Sequence, residues 1–205
     1  MRRLTVPIPD DEIRALHVGD TVFLNGIVVT GRDAAHKYMI DNFIRGDAVP
    51  PEEAELYEEL KRLLEGGIIY HCGPVVKQDE NGVWSFVAAG PTTSIREEVY
   101  QPEVIAHFNL KGVIGKGGMG PNTLKACGEQ PAVYMHAIGG AASLIARSVK
   151  EVVDVHKLEF GVPEAMWVTR VEDFPVVITM DSHGQSIHDE VQAASQEKLA
   201  ALLGV

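Results

Sequence analysis

Three short stretches of this 205-residue chain carry the residue types that an anion site needs: VVTGRDAAHK at 28–37, AAGPTTSIREE at 88–98 and VIGKGGMGPNT at 113–123. In each, an apolar run meets glycine, then a basic residue, then a segment of helical character. Glycine lets backbone N–H groups approach a ligand with no side chain in the way. A helix start adds unpaired N–H groups and a partial positive charge. Arg32, Arg96 and Lys116 supply full charges. A guanidinium is a planar fork that matches a carboxylate, and an ammonium is a mobile point charge. Three such loops meeting in space would bind a small molecule with two carboxylates.

Each element also has an ordinary use. Arg32 suits the exposed first turn of a helix, and Lys116 a solvated loop. Thr92, Thr93 and Ser94 are common helix caps. His36, His71 and His136 read more readily as structural residues than as ligands. The accidental reading weakens when three loops of one kind occur together.

Two other motifs compete for the third loop. GKGGMG at 115–120 has the form of a dinucleotide fingerprint, which needs an acidic residue about 20 positions on; the segment there, YMHAIGGAA, has none. It is not a P-loop, because no Ser or Thr follows Gly-Lys. VIGKGG also has the Gly-x-x-Gly of a KH nucleic-acid-binding domain, which needs a helix on either side. A net charge of −11 opposes that reading.

The elements that must position these loops follow from pattern. At 45% hydrophobic residues the chain can bury a core. TVFLNGIVVT reads as one bent strand or a hairpin. RDAAHKYMIDNFIRG reads as a helix capped by Thr30 or Asp33 and stopped by Gly46, and PPEEAELYEELKRLLEGG as a second helix. IIYHCGPVVK and GVWSFVAAG read as two strands joined by QDENG, and PEVIAHFNLKG as a short helix. Strand-then-helix units follow at 112–130 and 132–149, then strands at VVDVHKLEF and AMWVTRVEDFPVVITMD and a polar C-terminal helix. The expectation is one α/β domain of mixed topology over residues 1–205. No apolar run is long enough to span a membrane, and no secretory signal is expected. Cys72 and Cys127 are too few for a disulfide framework, which points to a reducing cytoplasm.

Five segments in order, GRDAAHK, GPTTSIR, IGKGGM, HAIGGAASL and VEDFPVVITMDSHG, resemble the β subunit, or C-terminal domain, of class I iron–sulfur hydro-lyases. That family includes fumarate hydratase and L(+)-tartrate dehydratase, and the resemblance runs from about residue 20 to residue 188. It implies a swivelling β/β/α domain. It implies a [4Fe–4S] cluster held by three cysteines of a separate α part, with one iron open as a Lewis acid. By motif match, Arg32, Thr93, Arg96 and Lys116 bind the dicarboxylate, and Thr92, with Lys116, performs proton transfer. No metal ligand is expected on this chain, since a cluster needs three or four thiolates. The expected partner is the cluster-bearing α subunit, in a hetro-oligomer marked by an exposed apolar patch; the isolated chain could pair as a homodimer. Nucleic acid and membrane are not expected partners. The expected reaction is reversible hydration of fumarate, with tartrate dehydration as the alternative and a KH-like binder as the alternative of another class. One departure stands out: Glu97 and Glu98 follow Arg96 where many members have methionine, and carboxylates there weaken an anion clamp unless they point away.

Overall fold

The computed structural model describes residues 2–204. Strand β1 (Arg2–Thr5), helix α1 (Asp10–Arg14) and strand β2 (Thr21–Thr30) open the chain. Helix α2 (Asp33–Met39) runs on into a π-helical turn at Ile40–Ile44, and α3 (Ala54–Leu64) leads to β3 (Ile68–Tyr70). Strands β4 (Val75–Gln78) and β5 (Trp84–Ala88) pair only with each other, as an antiparallel hairpin. Then come α4 (Gln101–Phe108), β6 (Gly112–Gly115), α5 (Pro121–Glu129), β7 (Val133–His136) and α6 (Ala142–Ala146). Strands β8 (Val149–His156) and β9 (Met166–Met180) and helix α7 (Ile187–Leu203) complete it.

Strands β2, β3, β6 and β7 lie side by side and parallel. The 15-residue β9 is antiparallel to β7 through its second half and to β2 along most of its length. The pairings therefore run β2–β3–β6–β7–β9 and return to β2. Strands β1 and β8 extend the sheet on β2 and β9. Both faces of the parallel strands are buried, which is what such strands require. Ile68 and Tyr70 of β3 face one core, with Leu24, Val28, Phe174 and Ile178. Ile69 faces the other, with Leu60 and Leu64 of α3 and Val104, Ile105 and Phe108 of α4. β6 and β7 alternate in the same way, Ile114 and Met135 to the first core and Val113 and Tyr134 to the second.

The result is the expected mixed α/β domain, with local differences. TVFLNGIVVT is a single strand, bent by a bulge at Leu24–Gly26. IIYHCGPVVK splits: Gly73 and Pro74 end β3's course, and only Val75–Gln78 joins the hairpin. The cap of α2 is neither Thr30 nor Asp33. Thr30 Oγ1 donates to the Ala165 carbonyl, and the Asp33 carboxylate is taken by an arginine described below. No helix of the described residues is long and apolar enough to cross a membrane.

Candidate active site

The three cationic loops converge at the carboxyl ends of neighbouring parallel strands, the usual place for a ligand in such sheets. Arg32 follows β2 and Lys116 follows β6. β3 and β6 stay paired as far as the bond from His71 N–H to the Ile114 carbonyl, 2.8 Å. Beyond it they part, and residues 91–94 thread between them. Thr92 N–H donates to the His71 carbonyl at 2.7 Å, Lys116 N–H to the Thr92 carbonyl at 3.1 Å, and Ser94 N–H to the Lys116 carbonyl at 3.1 Å. The segment is a short extra strand stitched on both sides. Thr92 is half-buried, Thr93 exposed and Ser94 buried.

The cations differ in their partners. Arg96 donates from Nε and Nη2 to Asp33 Oδ1 and Oδ2, at 3.0 and 2.8 Å, so the first loop is tied to the second. This pairing holds the Asp33 carboxyl below its ordinary range. Arg32 Nη2 lies 3.2 Å from Glu164 Oε1, and its buried Nε has no partner. Gly73 makes room for the fork, since a Cβ there would lie 2.5 Å from Arg32 Nη1. Lys116 makes no ion pair or side-chain hydrogen bond among the described residues, and its stem runs beside Gly139. Three cations against Asp33 and Glu164 leave one cation, Lys116, without an internal counter-charge among the described residues.

Two features modify the expectation from sequence. The helix starts are already satisfied from within the chain. Glu164 Oε2 accepts from Ala34 N–H at 3.1 Å, at the start of α2. Glu98 accepts from the N–H groups of Gly120, Asn122 and Thr123 at 2.8, 2.9 and 3.2 Å, at the start of α5. These ends hold carboxylates of their own and are not open to a ligand. Glu98 therefore points away from the clamp. Glu97 is fully buried with both oxygens unpartnered. Burial, and then the charge of Asp33, push its carboxyl up to about 7, against the pull of Arg96 at 3.9 Å.

Beneath the loops lies a chain of buried polar groups. His36 Nδ1 is 2.9 Å from the Arg32 carbonyl, and the Nε2 atoms of His36 and His71 are 2.9 and 2.8 Å from the Gln101 carboxamide. His71 Nδ1 is 2.8 Å from Ser94 Oγ, to which Tyr134 Oη donates at 2.9 Å. A Cβ at Gly115 would collide with Ser94 Oγ, so glycine is needed at the end of β6 for Ser94 to enter. Burial pushes His71 down to about 3 and lowers His36 as well, so both rings are neutral. His36 and His71 are buried and hydrogen-bonded within the chain, and both are tied to the site loops. His136 ends β7 half-buried, with its Nδ1 unpartnered. Gln101, Tyr134 and Glu164 gave no signal in sequence, because only the fold brings them to the loops.

The two cysteines do not meet to form a thiolate pair. Cys72 and Cys127 are buried in different cores, and burial pushes both thiols up to about 12. The three-ligand group Glu59, Asp154 and His156 lies on α3 and β8, away from the loops and without a thiolate. A cavity of about 870 Å³ opens at residues preceding β3 and β6, at the other end of the strands. Lys111 beside it is already held by Asp10 and Asn109, at 2.7 and 2.6 Å. The KH-like reading fails on topology. Its Gly-x-x-Gly must join two helices, and here Gly115 is the last residue of a central strand.

Residues 3–191 match the family model described as fumarase C-terminus. The chain belongs to the fumarase C-terminus family. It is 51% identical over 197 residues to a protein of Geobacillus stearothermophilus provisionally named a class I fumarate hydratase. That match covers 96% of this chain and 35% of the relative, so the chain spans about a third of that protein's length. It is 40% identical to a protein of Methanocaldococcus jannaschii provisionally named L(+)-tartrate dehydratase subunit beta, over 95% of this chain and 94% of the relative. It is 37% identical to the L(+)-tartrate dehydratase subunit beta of Escherichia coli K12, over 90% of this chain and 85% of that one. The family match includes all three cationic loops.

Proposed function

We propose that this chain is the β subunit of an iron–sulfur hydro-lyase that hydrates fumarate reversibly. The observation that carries the reading is the convergence of Arg32, Arg96 and Lys116 around the stitched Thr92–Thr93 segment, on a chain of the fumarase C-terminus family. Arg32 and Arg96 receive the two substrate carboxylates, each in exchange for an internal one, Glu164 and Asp33. The unpartnered Arg32 Nε offers a further donor, and Thr93 extends the same surface. Lys116, free of internal partners, adds the charge that makes the site selective for a dianion.

In the dehydration direction Thr92 takes the proton from carbon as the hydroxyl leaves the neighbouring carbon, and in hydration it gives that proton back. A threonine hydroxyl is a weak base, and it serves only where nearby cations stabilise its alkoxide or a proton relay. Arg96 and Lys116 are the cations placed to meet that need. The [4Fe–4S] cluster, carried by the α subunit, supplies the Lewis acid for the substrate hydroxyl. This chain binds and orients the dicarboxylate and moves the carbon proton. The buried, unpaired cysteines fit a cytoplasmic setting. Tartrate is the second substrate reading, favoured by the two beta-subunit relatives that this chain covers almost fully.

The test is anaerobic co-expression with the cluster-bearing partner, with fumarate and tartrate assayed in parallel. Turnover that needs both chains is expected, with no visible cluster absorption from this chain alone. Lys116→Ala should lower kcat/KM at least about 100-fold without changing the melting temperature of the chain. Full activity in that variant removes Lys116 from the clamp, and no turnover by a cluster-loaded complex removes the hydro-lyase reading.

A further inference from the structure

The buried chain under the loops has a direction, and one residue sets it. The Arg32 carbonyl can only accept, so His36 Nδ1 must carry the hydrogen of their 2.9 Å bond. His36 is fully buried, with a carbonyl and a carboxamide as its side-chain partners, so its ring is neutral and its Nε2 bears a lone pair. That lone pair faces Gln101 at 2.9 Å and needs a donor. Gln101 therefore presents its NH2 end to the rings. The atom placed there, 2.9 Å from His36 Nε2 and 2.8 Å from His71 Nε2, is Oε1, so the amide must be turned about its last bond; its NH2 then gives one hydrogen to each ring. His71 must then carry its own hydrogen on Nδ1 and donate to Ser94 Oγ at 2.8 Å.

The energetics agree. With the carbonyl end toward the rings, a buried NH2 with two hydrogens would be left without a partner. With the NH2 end toward them, the atom left over is a carbonyl oxygen, which tolerates a missing partner better. Ser94 Oγ then accepts from both His71 and Tyr134. The path runs from Arg32 in the first loop to Ser94 in the second, below the Arg96–Asp33 pair that joins them above.

We infer that Gln101 is a positioning residue: its amide donates to both imidazoles, fixes each as the Nδ1–H form, and so ties the Arg32 loop to the Thr92–Ser94 segment. The substrate-binding role of those loops rests on the function proposed above; the hydrogen order does not.

Long-range nitrogen–proton correlation spectra of the full chain, labelled with ¹⁵N-histidine, read the order directly. His36 and His71 should both show hydrogen on Nδ1 and a bare Nε2, with no titration between about pH 5 and 8. A hydrogen on Nε2 of either ring overturns the inference. The functional arm uses Gln101→Met in the complex with the cluster-bearing chain. It should raise KM for the dicarboxylate about tenfold, a loss the size of one hydrogen bond, with a smaller change in kcat. An unchanged KM beside a lowered melting temperature makes Gln101 merely structural and overturns the positioning role. If the wild-type complex turns over no dicarboxylate, the proposed activity fails, and the spectra still decide the hydrogen order.

Discussion

Arg96 is held on two of its arms by Asp33, and Glu97 next to it is buried with nothing to bond. These facts belong together. Asp33 satisfies the guanidinium and, by its own charge, makes ionisation of Glu97 harder. The folded chain therefore keeps a proton on Glu97 that the unfolded chain releases between about pH 4.5 and 7. Its stabilising contribution is complete below 4.5 and is lost as pH rises through about 7. Glu97→Gln should make the chain more stable than wild type at pH 8 by about 1–2 kcal/mol, with the gap closing at acid pH. Urea titrations of both proteins at several pH values measure it; parallel curves would show that Glu97 is ionised in the fold. His36 and His71 act in the opposite sense. Both are held neutral, so the unfolded state gains protons below about 6.5, and their contribution falls as the medium is acidified.

At the scale of elements, helix α5 is positioned by a residue 22 positions upstream of its N-cap. Glu98 accepts from three N–H groups of its first turn and from Thr123 Oγ1 at 2.6 Å. Glu98→Ala should cost about 1–2 kcal/mol of stability, and leave Arg32, Arg96 and Lys116 in place. Denaturant unfolding checks the cost. A change below experimental error would mean that water caps the helix equally well. This contact also marks where sequence reasoning stops. Glu98 follows a basic residue, which made it look like a threat to the clamp, and only the fold turns it to α5. Helix α3 was legible because proline and acids stand at its start, Lys61 and Arg62 in its later turns and glycines at its end. The parallel strands were legible as apolar runs. β1, four residues with two arginines, had no such pattern and gains its place only by pairing with β2. The cationic loops were legible because an apolar run, glycine, a basic residue and a helical segment recur in that order three times. Asp33 stood in view as a helix cap, and its true partner is 63 residues away.

Over the whole molecule, the cationic end is also where apolar side chains are bare. Ile95 is 50% exposed, Ile138 64% and Leu144 62%. They flank the loops: Ile138 follows β7 just before Gly139, which lines the Lys116 stem, and Leu144 sits on α6, whose Ala142 packs on Gly90. A face of this kind fits the docking of the α subunit proposed above. Ile138→Asp combined with Leu144→Asp should weaken association with the cluster-bearing chain at least about tenfold and leave the melting of the free chain unchanged. Size-exclusion or calorimetric titration measures it; wild-type affinity in the double variant would place the interface elsewhere. The C-terminal half of α7 lies beyond the family match and buries no side chain, so the fold of the site does not depend on it.

The stitching of residues 91–94 between β3 and β6 has a consequence for recognition. An anion-binding loop is ordinarily loose, and the ligand must freeze it. Here the backbone surrendered its conformational entropy when the sheet formed, through bonds to His71 on one side and Lys116 on the other. A dianion bound as proposed would order side chains and little else, so less of its binding energy would be consumed by making the site. Selectivity then resides in shape. A rigid cradle rejects an anion of the wrong span, where a mobile loop would fold around it.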